Sequence, residues 1–131
     1  MKSNKEIVFD YLKSYESGKQ EKLNEFLHPM HAYFPPGGVE PADLKARIAG
    51  ERFFFSAFSD IRVDMEVFLS EGEKAASRIS MECVHSGEYQ GIPPTGRKVT
   101  IKYISIVQIK DGKILKEWAE FNIPGIIDQI S

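Results

Sequence analysis

One cysteine, Cys83, stands in a chain of 131 residues. No disulfide can form within the chain, and no set of thiols and imidazoles is spaced for a zinc site. Neither sign of charge is in excess: 17 Lys and Arg face 19 Asp and Glu, a formal net charge of -2. Without a basic face there is little to hold a phosphate backbone, which argues against a nucleic-acid partner. No apolar run is long enough to cross a bilayer. The start, Met1-Lys2-Ser3-Asn4-Lys5-Glu6, is polar and leads straight into a periodic segment, unlike a secretory signal. A cytoplasmic protein with no membrane partner is expected. Repeats, low-complexity tracts and linkers are lacking as well, so residues 1–131 are expected to form one domain. A chain of this length buries roughly two-thirds of its unfolded surface. Its 42% hydrophobic and 27% charged residues fit that expectation.

The first third reads as helical. Ser3 or Asn4 caps a segment with Ile7, Val8, Tyr11, Leu12 and Tyr15 at helical spacing, ended by Gly18. A second helix is predicted over 20–27, stopping before His28-Pro29. An extended piece follows over 30–34, broken by Pro35-Pro36-Gly37-Gly38. Pro41 then suits the first turn of a third helix carrying Leu44, Ile48, Phe53, Phe54 and Phe58.

From Asp60 the period becomes two. Ile61, Val63, Met65, Val67 and Leu69 share one face, and Ser77, Ile79, Met81, Cys83 and His85 share one face of the next strand. A loop rich in Gly and Pro, 86–97, leads to a strand over 98–110. Asp111-Gly112 is a hairpin turn, and a last strand runs from Lys113 to about Ile123 before a short helix over 125–130. Helices followed by hairpin-linked strands predict an α+β fold. A twisted antiparallel sheet covered by helices curls into a cone and leaves a hollow suited to a small hydrophobic ligand. The strand over 98–110 holds Val99, Ile101, Tyr103, Val107 and Ile109 on one side and Ile104 and Ile106 on the other. An outer face that apolar predicts a homodimer through the sheet.

The last strand carries the candidate chemistry. Trp118, Glu120 and Asn122 alternate onto one face, expected to border the hollow. His85 ends a strand beside Ile79, Met81 and Cys83, where a buried hydrogen-bonded role competes with a pocket role. Gln108 shares a face with Ile104 and Ile106. His28 and His31 have no acidic partner nearby and read as turn residues, and no metal site is expected.

Several stretches in order carry a resemblance: 57–61 (Ala-Phe-Ser-Asp-Ile), His85 to Arg97, Ile109 to Ile114, Glu117-Trp118, and Pro124 to Ile130. The chain resembles the SnoaL-like family, which includes polyketide and ester cyclases of the nuclear transport factor 2-like fold. The resemblance implies a cystatin-like, cone-shaped α+β barrel, usually dimeric, that holds a hydrophobic ligand without metal or organic cofactor. It also implies an aldol ring closure of a polyketide ester, and a polar ligand contact at Gln108. The family's pattern places an acid four positions after the tryptophan and often another directly after it. Here those positions are Asn122 and Ala119. Glu120, about 7 Å along the strand from Asn122, is the nearest replacement acid. An apolar pocket would raise its pKa toward the range useful for proton transfer.

Two functions therefore stay open on sequence. One is a cofactor-independent cyclase or isomerase with Glu120 as acid/base and His85, Gln108, Trp118 and Asn122 around the substrate. The other is a ligand-binding or accessory protein using the same pocket without chemistry. A dimerisation module with a filled core is the plain alternative to both.

Overall fold

Helices precede strands along the chain, as the change of period predicts. The computed structural model describes residues 2–38 and 40–131. Helix α1 (Asn4–Lys13) is followed by a 3-10 turn over Ser14–Ser17, then α2 (Gln20–Asn24), β1 (Leu27–Phe34), β2 (Ala42–Asp43) and α3 (Leu44–Ala57). Strands β3 (Phe58–Glu71), β4 (Lys74–His85), β5 (Lys98–Lys110) and β6 (Lys113–Phe121) lead to α4 (Ile123–Ile130). All six strands form one sheet in the order β2-β1-β6-β5-β4-β3. No helix among the described residues is long and apolar enough to cross a membrane.

Local chemistry explains the helix ends. Ser3 and Glu6 make a reciprocal capping box at the start of α1. Gly18 takes a left-handed φ of 66° beyond the 3-10 turn, a conformation that costs a residue with a Cβ. Asp43 accepts from the Ala46 N–H at 2.9 Å and opens α3. Pro41 therefore lies before the helix rather than in its first turn. The second helix is shorter than predicted and ends at Asn24. Leu27 already belongs to β1, and the Phe26 carbonyl accepts from Ile114 N–H at 2.8 Å. Strand β1 thus runs parallel to β6, inserted beside the last strand of the meander.

The inner face of the sheet and the helices share one core, with Tyr11, Leu23, Phe58, Ile79, Ile114 and Ile130 fully enclosed. Strand β4 follows its predicted alternation throughout, 75, 77, 79, 81, 83 and 85 all being buried. Strand β3 does not. Met65 pairs with Ile79, but Val67 pairs with Arg78, so the register slips by one residue between them. Such a bulge sends the residues beyond it to the opposite face. Val67 and Leu69, expected inside with Ile61 and Val63, are 48% and 67% exposed on the outer face.

Candidate active site

Register decides which side chains of the last strand can do chemistry. Strand β6 pairs antiparallel with β5 as Tyr103↔Phe121, Ser105↔Ala119 and Val107↔Glu117, alternating with Ile104↔Glu120, Ile106↔Trp118 and Gln108↔Lys116. The first set faces the helices and the second faces away. Glu117 and Ala119 are buried, whereas Glu120 is exposed. This corrects the expectation for Trp118, Glu120 and Gln108, which share the outer face with Ile104 and Ile106. Trp118 stacks on Phe34 there, ring centroids 5.2 Å apart.

Asn122 is also elsewhere. It caps α4, its Oδ1 accepting from the Gly125 N–H at 3.1 Å. His85 does not border the cavity either. Its ring is fully buried and its Nδ1 accepts from the Thr95 N–H at 3.2 Å, clasping the two ends of the 86–97 loop. None of the sequence-predicted site residues lines the hollow. The parity of β6 is the reverse of the one assumed for Trp118 and Glu120, and Gln108 shares their outer face. His85 is tied to the 86–97 loop, and Asn122 caps α4.

The hollow itself is present, with a volume of about 580 Å³. Its walls are largely apolar: Phe54 and Phe58 from the α3 side, Met81, Ile101 and Phe121 from the sheet, and Ile123 and Ile126 from α4. Phe53, expected in the packed stripe of α3, is 78% exposed and lines the hollow at its edge, with Pro35, Pro36 and Gln90.

One end of the cavity is polar, and Arg47 organises it. Helical spacing sets Arg47 and Glu51 one turn apart on the inward face of α3, with Arg47 Nε donating to Glu51 Oε1 at 3.0 Å. Across the cavity, Arg47 Nη1 reaches Glu117 Oε1 at 3.1 Å, and both side chains of that ion pair are at most 4% exposed. Arg47 Nη2 donates to the hydroxyls of Tyr11 at 2.8 Å and Tyr15 at 3.4 Å. Tyr11 in turn donates to Glu117 Oε1 at 2.5 Å and Tyr15 to Glu51 Oε1 at 3.3 Å. Two arginine–tyrosine–carboxylate chains therefore leave one guanidinium. Ser105 Oγ completes Glu117 by donating to Oε2 at 2.6 Å.

His31, expected as a turn residue, is buried behind Arg47. Its Nδ1 meets the Ile114 carbonyl at 2.8 Å and its Nε2 lies 3.3 Å from Arg47 Nη1. The carbonyl needs a donor and the guanidinium an acceptor, so the ring is neutral with its proton on Nδ1. Burial lowers the His31 pKa, consistent with a neutral ring.

The two carboxyls differ in one respect that bears on chemistry. Both oxygens of Glu117 receive hydrogen bonds. Glu51 lines the cavity, and its Oε2 is buried with no partner among the described residues. Burial pushes the Glu51 pKa up, and the neighbouring Arg47 only partly opposes this. The nearby Glu117 charge adds to the effect of burial: Arg47 is already paired with Glu117, so ionising Glu51 puts a second negative charge into an apolar enclosure. The signal available in the sequence was a charged pair, Arg47 and Glu51, four residues apart on the apolar side of a helix. Glu117 was hidden by the adjacent tryptophan, whose large ring looked like the buried partner.

Residues 5–130 match the family model described as SnoaL-like polyketide cyclase. The chain belongs to this family. The SnoaL-like chain is 24% identical over 125 residues to aklanonic acid methyl ester cyclase DauD of Streptomyces sp. (strain C5), covering 88% of this chain and 75% of that protein. It is similar to the structure of TsrD from Streptomyces laurentii, with a TM-score of 0.80 at 27% identity over 97% of this chain and 93% of that one. AclR from Streptomyces galilaeus superposes with a TM-score of 0.87 at 17% identity, covering 96% of this chain and 79% of that one, a likeness of fold. Against the family pattern, this SnoaL-like site has a methyl group, Ala119, bordering the cavity where an acid often follows the tryptophan. Its acid with a free carboxyl oxygen, Glu51, comes from α3 instead.

Proposed function

We propose that the protein closes a ring in a neutral polyketide-type carbonyl compound by an aldol reaction, with Glu51 as the proton-transfer group and no cofactor. The observation that supports this is the free, buried Oε2 of Glu51 beside a guanidinium that fixes its Oε1. In the reaction, the Glu51 carboxylate takes a proton from the carbon next to a carbonyl. The carbanion attacks a second carbonyl of the same molecule, and the resulting alkoxide takes the proton back from Glu51. Atoms and charge balance without an oxidant or metal. A raised pKa keeps proton transfer in both directions accessible near neutral pH. The largely apolar walls enclose about 580 Å³, room for a planar polycyclic substrate. Isomerisation of a carbonyl compound would use the same group in the same way.

The test uses aklanonic acid methyl ester, following the appearance of an isomeric product by chromatography. Glu51→Gln is expected to reduce the rate about 100- to 10,000-fold, the usual worth of a positioned acid/base. An unchanged rate refutes the assignment. A non-catalytic binding protein is the second reading, favoured by Ala119 and Asn122 at the acidic positions of the pattern. It predicts that the ester binds and is recovered unchanged from wild type and variant alike.

The proposal includes a single domain over 1–131 and a homodimer through the outer sheet face. Leu69, Val67, Ile104 and Ile106 are exposed there, beside the Phe34–Trp118 stack. Burying such a patch against a second copy removes apolar surface from water. Light scattering is expected to give twice the chain mass for wild type and one chain mass for a variant with Ile104→Lys and Ile106→Lys. A wild-type monomer at micromolar concentration removes the dimer. The substrate is the partner in this reading, not nucleic acid or membrane. A cytoplasmic location fits the unpaired Cys83 thiol and is checked by cell fractionation.

A further inference from the structure

Resting on the Glu51 reading, we infer that Tyr33 and Tyr103 hold the substrate's carbonyl oxygen, so that the enolate forms on two phenolic donors. Four tyrosines surround the buried arginine. Tyr11 and Tyr15 are engaged, each accepting from Arg47 and donating to a carboxylate. Tyr33 and Tyr103 both line the cavity, and among the described residues neither hydroxyl has a hydrogen-bond partner. Both residues are half-buried, so their hydroxyls stay accessible and free to donate to a bound ligand.

Both rings are braced. The Arg47 guanidinium lies 3.9 Å from the centre of the Tyr33 ring, a cation–π contact that orients it from behind. Tyr103 packs edge-on against Phe121, centroids 6.3 Å apart. Tyr33 belongs to β1 and Tyr103 to β5, both strands of the sheet, whereas Glu51 enters from α3. The base and the two donors thus come from different walls of one hollow. That arrangement suits an enolisable ketone, with its acidic carbon toward the helix and its oxygen toward the sheet.

The chemistry favours these groups over the arginine. When Glu51 removes the proton, the C–H bonding pair moves into the enolate and negative charge builds on the oxygen. Phenolic donors that line the same cavity as the base can meet that charge as it develops and stabilise the transition state more than the ground state. Arg47 is committed to two carboxylates and two phenols, so an uncharged carbonyl, not a carboxylate, is the ligand this end accepts. Burial raises the pKa of both free phenols, which keeps them as O–H donors.

The experiment uses 9-fluorenone, a planar neutral aromatic ketone, and reads its carbonyl stretch by infrared difference spectroscopy. Bound to wild type, the stretch is expected at lower frequency than in cyclohexane. Tyr103→Phe and Tyr33→Phe should each move it back part of the way and weaken binding about 2- to 10-fold. The double variant should restore the cyclohexane value, with circular dichroism confirming the fold. Should the double variant not fold, the two single variants carry the same comparison. Glu51→Gln should leave the low frequency in place. The inference is overturned if fluorenone does not bind, binds without a shift, or loses the shift in Glu51→Gln and not in the tyrosine variants. The Glu51 reading fails on a different measurement, the turnover rate of Glu51→Gln, so the two failures are separable.

Discussion

Replacing Glu117 by Gln tests whether the buried arginine is the organising centre of the site. Glu117 receives Tyr11 and Arg47 on Oε1 and Ser105 on Oε2. A glutamine can place its carbonyl at Oε1 and keep the first two bonds, while its amide turns toward Ser105, whose hydroxyl rotates to accept. Shape and most hydrogen bonds survive, and the charge does not. Stripping one partner from a buried ion pair costs about 3–5 kcal/mol because the other charge is left uncompensated. Here Glu51 is already bonded to the same guanidinium and can ionise in its place, so the net loss should be smaller, about 1–3 kcal/mol. For a chain of this size that is a drop in melting temperature of roughly 4–10 °C. Glu117→Leu also abolishes the hydrogen bonds and should lose about 10–20 °C. Adding Arg47→Met to Glu117→Leu should recover part of that loss, since the orphaned charge is gone. Thermal melts by circular dichroism at pH 7 measure all four proteins. The rate profile gives a second readout. With Glu51 as Arg47's only counter-charge, its pKa falls back toward the ordinary carboxylate range, and the rising limb of activity moves to lower pH. A Glu117→Gln melting temperature within a degree of wild type, or a double variant no more stable than Glu117→Leu, refutes this account of Arg47.

Further predictions concern pH and packing. Because Glu51 keeps its proton in the folded chain after the unfolded chain has released it, wild-type stability should fall as pH rises from the ordinary carboxylate range through the raised Glu51 value. Glu51→Gln lacks that slope, so its melting temperature should gain on wild type across the interval; parallel curves would count against the raised pKa. His31 behaves in the opposite sense. Its pKa is lowered by burial, so the stability it contributes is present above about pH 6.5 and is lost as pH falls below that value. His31→Asn, which keeps a donor for the Ile114 carbonyl, should flatten the acid limb in a melt series from pH 7 to 5, and an unchanged limb speaks against it. At Gly87, a Cβ would stand 1.9 Å from the Ser56 carbonyl oxygen. Gly87→Ala should therefore cost about 1–3 kcal/mol as the 86–97 loop shifts off the end of α3, and an unchanged melt rejects that contact.

A site built this way sets function against stability. The Arg47–Glu117 pair consumes desolvation energy that a leucine and a methionine would not, and Glu51 adds an unfilled acceptor beside it. Their return is a carboxyl held at Oε1 by Arg47 and Tyr15, with its other oxygen left without a partner among the described residues. The wide hydrophobic helix α4, capped by Asn122, closes the end of that hollow, so even the residue lost as an acid keeps a structural task.

The amino-acid order alone determined the main helices, the four long strands and the fold class. The Ser3–Glu6 box, the switch from a helical period to a period of two near Asp60, and the Asp111-Gly112 turn are local features, and local backbone chemistry suffices to read them. The family followed from the same local motifs, spread along nearly the whole chain. Tertiary structure decided which face each strand presents. Strand parity reverses with a single-residue slip, and alternation around Trp118 is equally regular for either choice, since both sets mix aromatic with acidic side chains. Pairing with β5 put Glu117, Ala119 and Phe121 inward and sent Trp118 and Glu120 to the outer surface. The bulge after Met65 did the same to Val67 and Leu69. The cluster of Arg47, Glu51, Tyr33, Tyr103 and Glu117 joins helix α3 and strand β1 to the β5–β6 hairpin, some fifty residues further along the chain. Only the closing of the sheet beneath α3 brings them together, and no window along the chain contains that contact.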